Sequence, residues 1–236
     1  MDYFLEFIGK FMVELKSIEK VFKQRNWWDL LINLKVAKYI TYFVANYTKL
    51  TPNNITFISF IFAFFALIAI SSHHYIFGAI LFQISYIFDI VDGALARVKN
   101  LTSKFGAFLD VFTDWFKAPI LITILLYQER KIESLIAILM LLFWNCVANK
   151  YNDMLFFTTK KSLTTSKEVK SSKIGRYFEF MKEKHLIALP GIVEFEALVL
   201  FFYPIFLEDL FLYLGILLLL FNFVLKVYAI SKKLKS

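Results

Sequence analysis

The sequence predicts an all-α polytopic membrane protein, with six transmembrane helices preceded by an N-terminal amphipathic juxtamembrane helix. Three observations predict it. Of the 236 residues, 59% are hydrophobic and only 19% charged, a balance that leaves too little polar surface to cover a water-soluble globule. Seven Gly and four Pro set against 29 Phe and 12 Tyr describe long apolar helices with few breaks. The Lys and Arg residues are also distributed one-sidedly, as expected when the bases of a membrane protein collect in cytoplasmic segments. The single cysteine, Cys146, excludes an internal disulfide framework and reads as a small packing residue. The chain divides into a juxtamembrane arm over residues 1–50 and one membrane domain over residues 51–236.

In the arm, Phe4, Ile8, Phe11, Leu15, Ile18 and Phe22 recur at alternating spacings of four and three, while Lys10, Lys16, Lys20 and Lys23 lie off that stripe. This pattern suits a helix lying on an anionic membrane surface, although a coiled-coil or dimer contact would carry the same stripe. Asp2, Glu6 and Glu14 interrupt the region, so it is not read as a signal peptide. Trp27 and Trp28 are expected at the headgroup level.

Crossing about 30 Å of hydrocarbon takes about 20 apolar residues. Six windows qualify: Asn53 to Ser71, Tyr75 to Val98, Phe105 to Tyr127, Glu133 to Phe157, Leu186 to Phe206 and Glu208 to Ile230. Eight bases fall in residues 1–50, three between Arg97 and Lys104, nine between Lys150 and Lys184, and four from Lys226 onward. Twenty-four of the 27 thus share one side, which predicts cytoplasmic termini in the cytoplasmic membrane. Residues 158–184, rich in Lys, Ser and Thr, read as a cytoplasmic loop. His73 and His74 read as solvated residues of a short outer turn. Asn145, Asn149, Asn152 and Asp153 follow helical spacing in the fourth window, as either a polar cavity face or interhelical hydrogen bonds. Glu194 and Glu196 read as interfacial or cavity-facing acids.

The second and third windows carry Asp89, Asp92, Asp110 and Asp114. One carboxylate at the centre of a span costs about 2.5–3.5 kcal/mol, and four cost up to about 10 kcal/mol, comparable to a domain's whole stability of about 5–15 kcal/mol. Such a cluster needs compensation. The first pair is separated by three residues and the second by four, so each pair occupies one helix face. Asp92 and Asp110 stand equally far from the polar turn at Lys99 to Lys104, with Asp89 and Asp114 slightly farther. In an antiparallel hairpin, equal distance from the turn means equal depth, so all four can meet on the cytoplasmic side. Four oxygen donors without His or Cys suit two hard divalent cations, Mg²⁺ or Mn²⁺. An acid-lined ion path, as in a divalent-cation transporter, or a proton relay remains open on spacing alone. Gly93, Ala94 and Ala96 thin one wall of this centre, and Gly106 is expected to allow close helix packing.

The pattern Asp89-x2-Asp92-Gly93-x2-Ala96-Arg97-x8-Gly106-x3-Asp110-x3-Asp114 resembles the signature of the CDP-alcohol phosphatidyltransferases at every defined position. Thr51-Pro52-Asn53-Asn54-Ile55-Thr56 also looks like that family's lead into its first span. The resemblance implies metal-dependent transfer of a phosphatidyl-type group from a CDP-linked lipid, CDP-diacylglycerol or CDP-archaeol, to a small polar alcohol in phospholipid synthesis, with release of CMP. Transfer of a CDP-linked headgroup to a lipid or sugar alcohol is the alternative. By position it makes Asp89, Asp92, Asp110 and Asp114 metal ligands and Asp114 also the general base. Asn53, Thr56, Asp89, Asp92, Gly93, Ala96 and Arg97 would contact the CDP group. Many relatives acting on phosphorylated acceptors carry Arg or Lys directly after the last motif Asp, where this chain has Trp115. Lys117, Arg176, Lys182, Lys184 and His185 are instead candidate acceptor contacts, with ordinary positive-inside charge as the other reading. The resemblance further implies a homodimer among membrane lipids, and no nucleic-acid partner is expected.

Overall fold

The computed structural model describes residues 13–22, 26–159 and 191–234; the side chains of Asp110, Val111, Asp114, Trp115, Asn149, residues 152–159, Ala229 and residues 232–234 lie outside that description. The described residues are helical and contain no strand. In order they form α1 (Leu15–Val21), a π-turn (Asp29–Asn33) leading into α2 (Leu34–Tyr47), α3 (Pro52–Ser71), α4 (Tyr75–Val98), α5 (Lys104–Gln128), α6 (Ile132–Thr159), α7 (Ile192–Glu196), a π-segment (Ala197–Phe202), α8 (Tyr203–Phe206) and α9 (Asp209–Leu234). Among the described residues, three stretches are long and apolar enough to cross a membrane: Pro52–Ser71, Tyr75–Val98 and Asp209–Tyr228. Among the described residues, α5 and α6 carry the apolar stretches Phe116–Gln128 and Ile132–Ala148. The expected loop over residues 158–184 and the beginning of the expected fifth span lie largely outside the described residues.

The chain separates into two compact units, Met1–Lys23 with Trp28–Leu121 and Gln24–Trp27 with Ile122–Ser236. In the first unit, α3 and α4 form an antiparallel hairpin. Thr51 caps α3: its hydroxyl accepts from the backbone N–H of Asn54 at 3.3 Å, and Asn54 Oδ1 accepts from the backbone N–H of Thr51 at 2.9 Å. With Pro52 in the first turn, this reciprocal cap sets where the helix begins. Ser103 caps α5 by accepting from the N–H of Gly106 at 2.9 Å.

Helices α3, α4 and α5 stop in a common way. His73, Asn100 and Arg130 hold φ of 62°, 54° and 56°. The next residue's N–H bonds back to Ala69, Ala96 and Leu126 respectively, each at 2.8 Å. These are helix terminations through a left-handed residue, built without the usual glycine. Charge and polarity mark these turns in the sequence, but the absence of Gly at the left-handed positions hides how they close.

The described end of the N-terminal stripe is covered by protein. Ile18 is fully buried and Phe22 nearly so, in a core with Ala37, Val44, Ile55, Ile87, Val91, Ala94 and Leu95. A lipid-facing role therefore does not extend to these two residues, although Lys16 and Lys20 remain exposed as the periodicity requires. Asn46 ties α1 to α2, accepting from the Val13 N–H at 2.7 Å and donating to the Val13 carbonyl at 3.1 Å. Lys38 adds an ion pair to Glu19 at 2.8 Å, and this hydrogen bond raises the pKa of Lys38. Trp28 donates its indole N–H to Gln83 of α4 at 3.3 Å, and Asn33 bonds both Asp29 and Gln83. Trp28 is therefore hydrogen-bonded to α4, in addition to any interfacial role.

In the second unit, α6 and α9 meet around Asn145, which is 1% exposed. Its amide donates to the Leu141 carbonyl at 2.9 Å and the Leu219 carbonyl at 3.3 Å, while its Oδ1 accepts from Lys226 Nζ at 2.9 Å. Of the two readings of this polar run, interhelical bonding holds for Asn145. Gly215 lets α9 approach closely, since a Cβ there would lie 2.9 Å from Val199. Pro204 explains the neighbouring π-segment. A helix interior cannot accommodate its ring against the preceding turn, and the Tyr203 N–H reaches back five residues to the Leu198 carbonyl. Glu194 serves structure: it accepts from the Gly191 N–H at 2.7 Å and the Trp27 N–H at 2.6 Å.

Candidate active site

The α3–α4 hairpin sets a polar seam in an otherwise apolar contact. Thr56 of α3 faces Asp92 of α4, its hydroxyl donating to Asp92 Oδ2 at 2.6 Å, with Thr56 8% and Asp92 6% exposed. Three residues on along α3 and three back along α4, Ser59 faces Asp89 at 3.4 Å. One further turn along α4, Ser85 and Ser59 each donate to the other's backbone carbonyl at 2.8 Å. These small side chains let the two backbones approach closely, and the hydroxyls satisfy polar groups that lipid would leave unpaired. The far end of the hairpin is also tight: a Cβ on Gly78 would fall 2.5 Å from the Ile70 side chain.

Helix α5 contributes Lys117, whose Nζ lies 2.5 Å from Asp89 Oδ1 and 3.0 Å from Ser59 Oγ. The two charged side chains are only 7% and 12% exposed. Lys117 follows Asp114 by three residues and Asp110 by seven, so the three positions share one face of α5. Asp110 and Asp114 occupy the helix as expected, and their side chains are among those not described. Among the described residues, no three His, Cys, Asp or Glu side chains gather at one point.

Gly93 makes room for Arg97. A Cβ at Gly93 would meet Arg97 Nη1 at 3.3 Å and Nη2 at 3.4 Å, so the guanidinium lies over the glycine one turn before it. Ala96 is half-buried beside it, and Asn53 is exposed on the first turn of α3. Gly106 sits beside the cap of α5. Among the described residues, the only atom within 4 Å of a Cβ at Gly106 is Ser103 Oγ, at 3.1 Å. Gly106 thus clears space for the N-cap of α5. Arg176, Lys182, Lys184 and His185 lie outside the described residues.

Ser59 and Ser85 are the site residues that sequence reasoning missed. A signal was present: Ser59 follows Thr56 by one helical turn, and Ser85 precedes Asp89 by one turn, each in a strongly apolar span. The donor set around Asp89 and Asp92 is oxygen-only on the carboxylate and hydroxyl side, which fits a hard divalent cation better than a soft one.

These features define a helical membrane protein with a carboxylate centre in adjoining helices, buried at Asp92 and supported by hydroxyls from the preceding span. The CDP-alcohol phosphatidyltransferase pattern matches residues 49–228, and the chain belongs to that family. It is 36% identical over 108 residues to the "Bifunctional IPC transferase and DIPP synthase" of Aquifex aeolicus (strain VF5), covering 44% of this chain and 23% of that protein. It is 37% identical over 65 residues to the "Archaetidylinositol phosphate synthase" of Pyrococcus horikoshii, covering 28% of this chain and 35% of that protein. The matches therefore span about a quarter and a third of these relatives' lengths.

Proposed function

We propose that this protein transfers a phosphatidyl-type group from a CDP-linked lipid to a small polar alcohol and releases CMP, from a six-span, cytoplasm-facing membrane site. The observation that carries the proposal is the complete eight-position motif within the family-matching segment, with the Asp92 carboxylate buried and held by Thr56. Asp89, Asp92, Asp110 and Asp114 would hold two Mg²⁺ or Mn²⁺ ions. When bound, the ions offset the diphosphate charge and favour departure of CMP. Thr56 fixes the orientation of Asp92, and Ser59 Oγ lies 3.4 Å from Asp89. Arg97, lying over Gly93, offers a planar pair of donors to a phosphate oxygen. Asp114 takes the proton from the attacking hydroxyl.

The name of the Pyrococcus relative specifies an inositol phosphate product, so a phosphorylated inositol is the first acceptor to assay. Trp115 at the position after the last motif Asp argues in the other direction, and serine, glycerol 3-phosphate and ethanolamine complete the acceptor panel. A CDP-inositol donor tests the reversed arrangement, in which the headgroup carries the CDP. Asp114→Asn should lower metal-dependent CMP release by about 10²–10⁴-fold, the usual contribution of a positioned base. Full CMP release by this variant at neutral pH would exclude Asp114 as the base. Failure of CDP plus Mg²⁺ to raise the melting temperature of the unsubstituted protein would remove the enzyme assignment and favour a cation transporter.

A further inference from the structure

From the placement of Lys117 we infer that its ammonium is a tethered competitor for the metal position at Asp89, so that divalent-cation loading requires Lys117 to leave that carboxylate. The inference rests on the metal reading above and concerns a residue outside the eight-position motif.

Lys117 Nζ stands 2.5 Å from Asp89 Oδ1, with Ser59 Oγ at 3.0 Å as a second partner. The lysine side chain is 7% exposed, so the contact is an enclosed ion pair and not a solvated surface one. Ser59 is itself fixed by donating to the Ser85 carbonyl at 2.8 Å, which makes this oxygen cradle part of the α3–α4 seam. A divalent ion bound to Asp89 would lie within a few ångströms of the ammonium, and like charges at that separation in an enclosed site repel strongly. The two cations therefore compete for Asp89 in its present geometry. Lys117 has a long flexible stem and can move its head by rotating side-chain bonds. The exchange is one of non-covalent partners: Asp89 gives up the ammonium and accepts the metal, and the ammonium is released toward the anionic groups of the substrates. Metal loading and presentation of a cation to substrate phosphate thus become one coupled event.

The test uses the full chain in detergent with Mn²⁺ alone as the probe, following free Mn²⁺ by electron paramagnetic resonance. Lys117→Met should bind Mn²⁺ about tenfold more tightly than the unsubstituted protein, the scale of one lost charged hydrogen bond. Lys117→Arg, which keeps the cation, should remain within about threefold of the unsubstituted value. Lys104→Met, at an exposed position at the start of α5, controls for bulk charge and should shift binding less than twofold, as a screened surface charge does. If Lys117→Met does not fold, Lys117→Gln reads the same quantity with a polar end group. Equal or weaker Mn²⁺ binding in the charge-removing variant overturns this inference alone. Absence of Mn²⁺ binding in the unsubstituted protein overturns the metal reading and this inference with it.

Discussion

Replacing Thr56 by Val tests whether the first span supports the carboxylate centre. The substitution keeps the side-chain shape and removes one hydroxyl, whose oxygen lies 2.6 Å from Asp92 Oδ2. Both residues are buried, at 8% and 6% exposure, so water does not readily take the vacated position. A hydrogen bond to a charged group under these conditions is worth about 1.5–3 kcal/mol. If all of it serves to hold Asp92 in its ligating orientation, affinity for Mg²⁺ and CDP together falls by about 10- to 150-fold, at about 1.4 kcal/mol per tenfold. The same hydroxyl lies 3.2 Å from the Pro52 carbonyl, but that contact is local to the helix and its loss would not reach the site. The assay is the concentration of Mg²⁺ needed for half-maximal thermal stabilisation by CDP, measured for the unsubstituted protein, Thr56→Val and Thr56→Ser. Thr56→Ser keeps the donor and should stay within about threefold, since it loses only a methyl group. A Thr56→Val value within twofold of the unsubstituted protein would refute the reasoning, as would equal impairment in the two variants.

Gly93→Ala should leave the fold as stable or slightly more so, because Ala is favoured over Gly in a helix by about 0.8–1 kcal/mol. Its Cβ, however, falls 3.3 Å from Arg97 Nη1, so stabilisation by CDP plus Mg²⁺ should drop; an unchanged ligand-induced shift would separate Arg97 from nucleotide binding. Asn145→Leu should cost about 1–2 kcal/mol in detergent unfolding, the upper range for interhelical hydrogen bonds in membranes, because it leaves Lys226 without its 2.9 Å partner. Adding Lys226→Met should recover most of that loss, and strictly additive losses would show that the two residues act independently.

The acids and the helical class were legible because both break or obey simple rules. A charge in a lipid-spanning helix stands out by its cost, and the spacing of Asp89 from Asp92 places them on one face without further information. The hydroxyls facing them were not read, because Thr and Ser are common and inexpensive in membrane helices. Only the register of α3 against α4, which depends on tertiary packing, distinguishes Ser59 from the other small polar residues. The N-terminal stripe shows a related limit. Periodicity establishes that Ile18 and Phe22 share a face, but an apolar face is equally satisfied by lipid and by protein. The buried Ala37, Val91 and Ala94 around them decide the matter, and their small size allows α1 to settle against α2 and α4.

The contact that Lys117 makes from α5 follows from helix geometry. A cation at position 115 would be rotated about 100° from Asp114, the angular step of one residue on a 3.6-residue turn. At position 117 it returns to the face that carries positions 110 and 114, one turn farther along the helix from the polar α4–α5 turn. That is the level at which α4 presents Asp89 and α3 presents Ser59. The cation of α5 thus meets the first acid of the motif, Asp89.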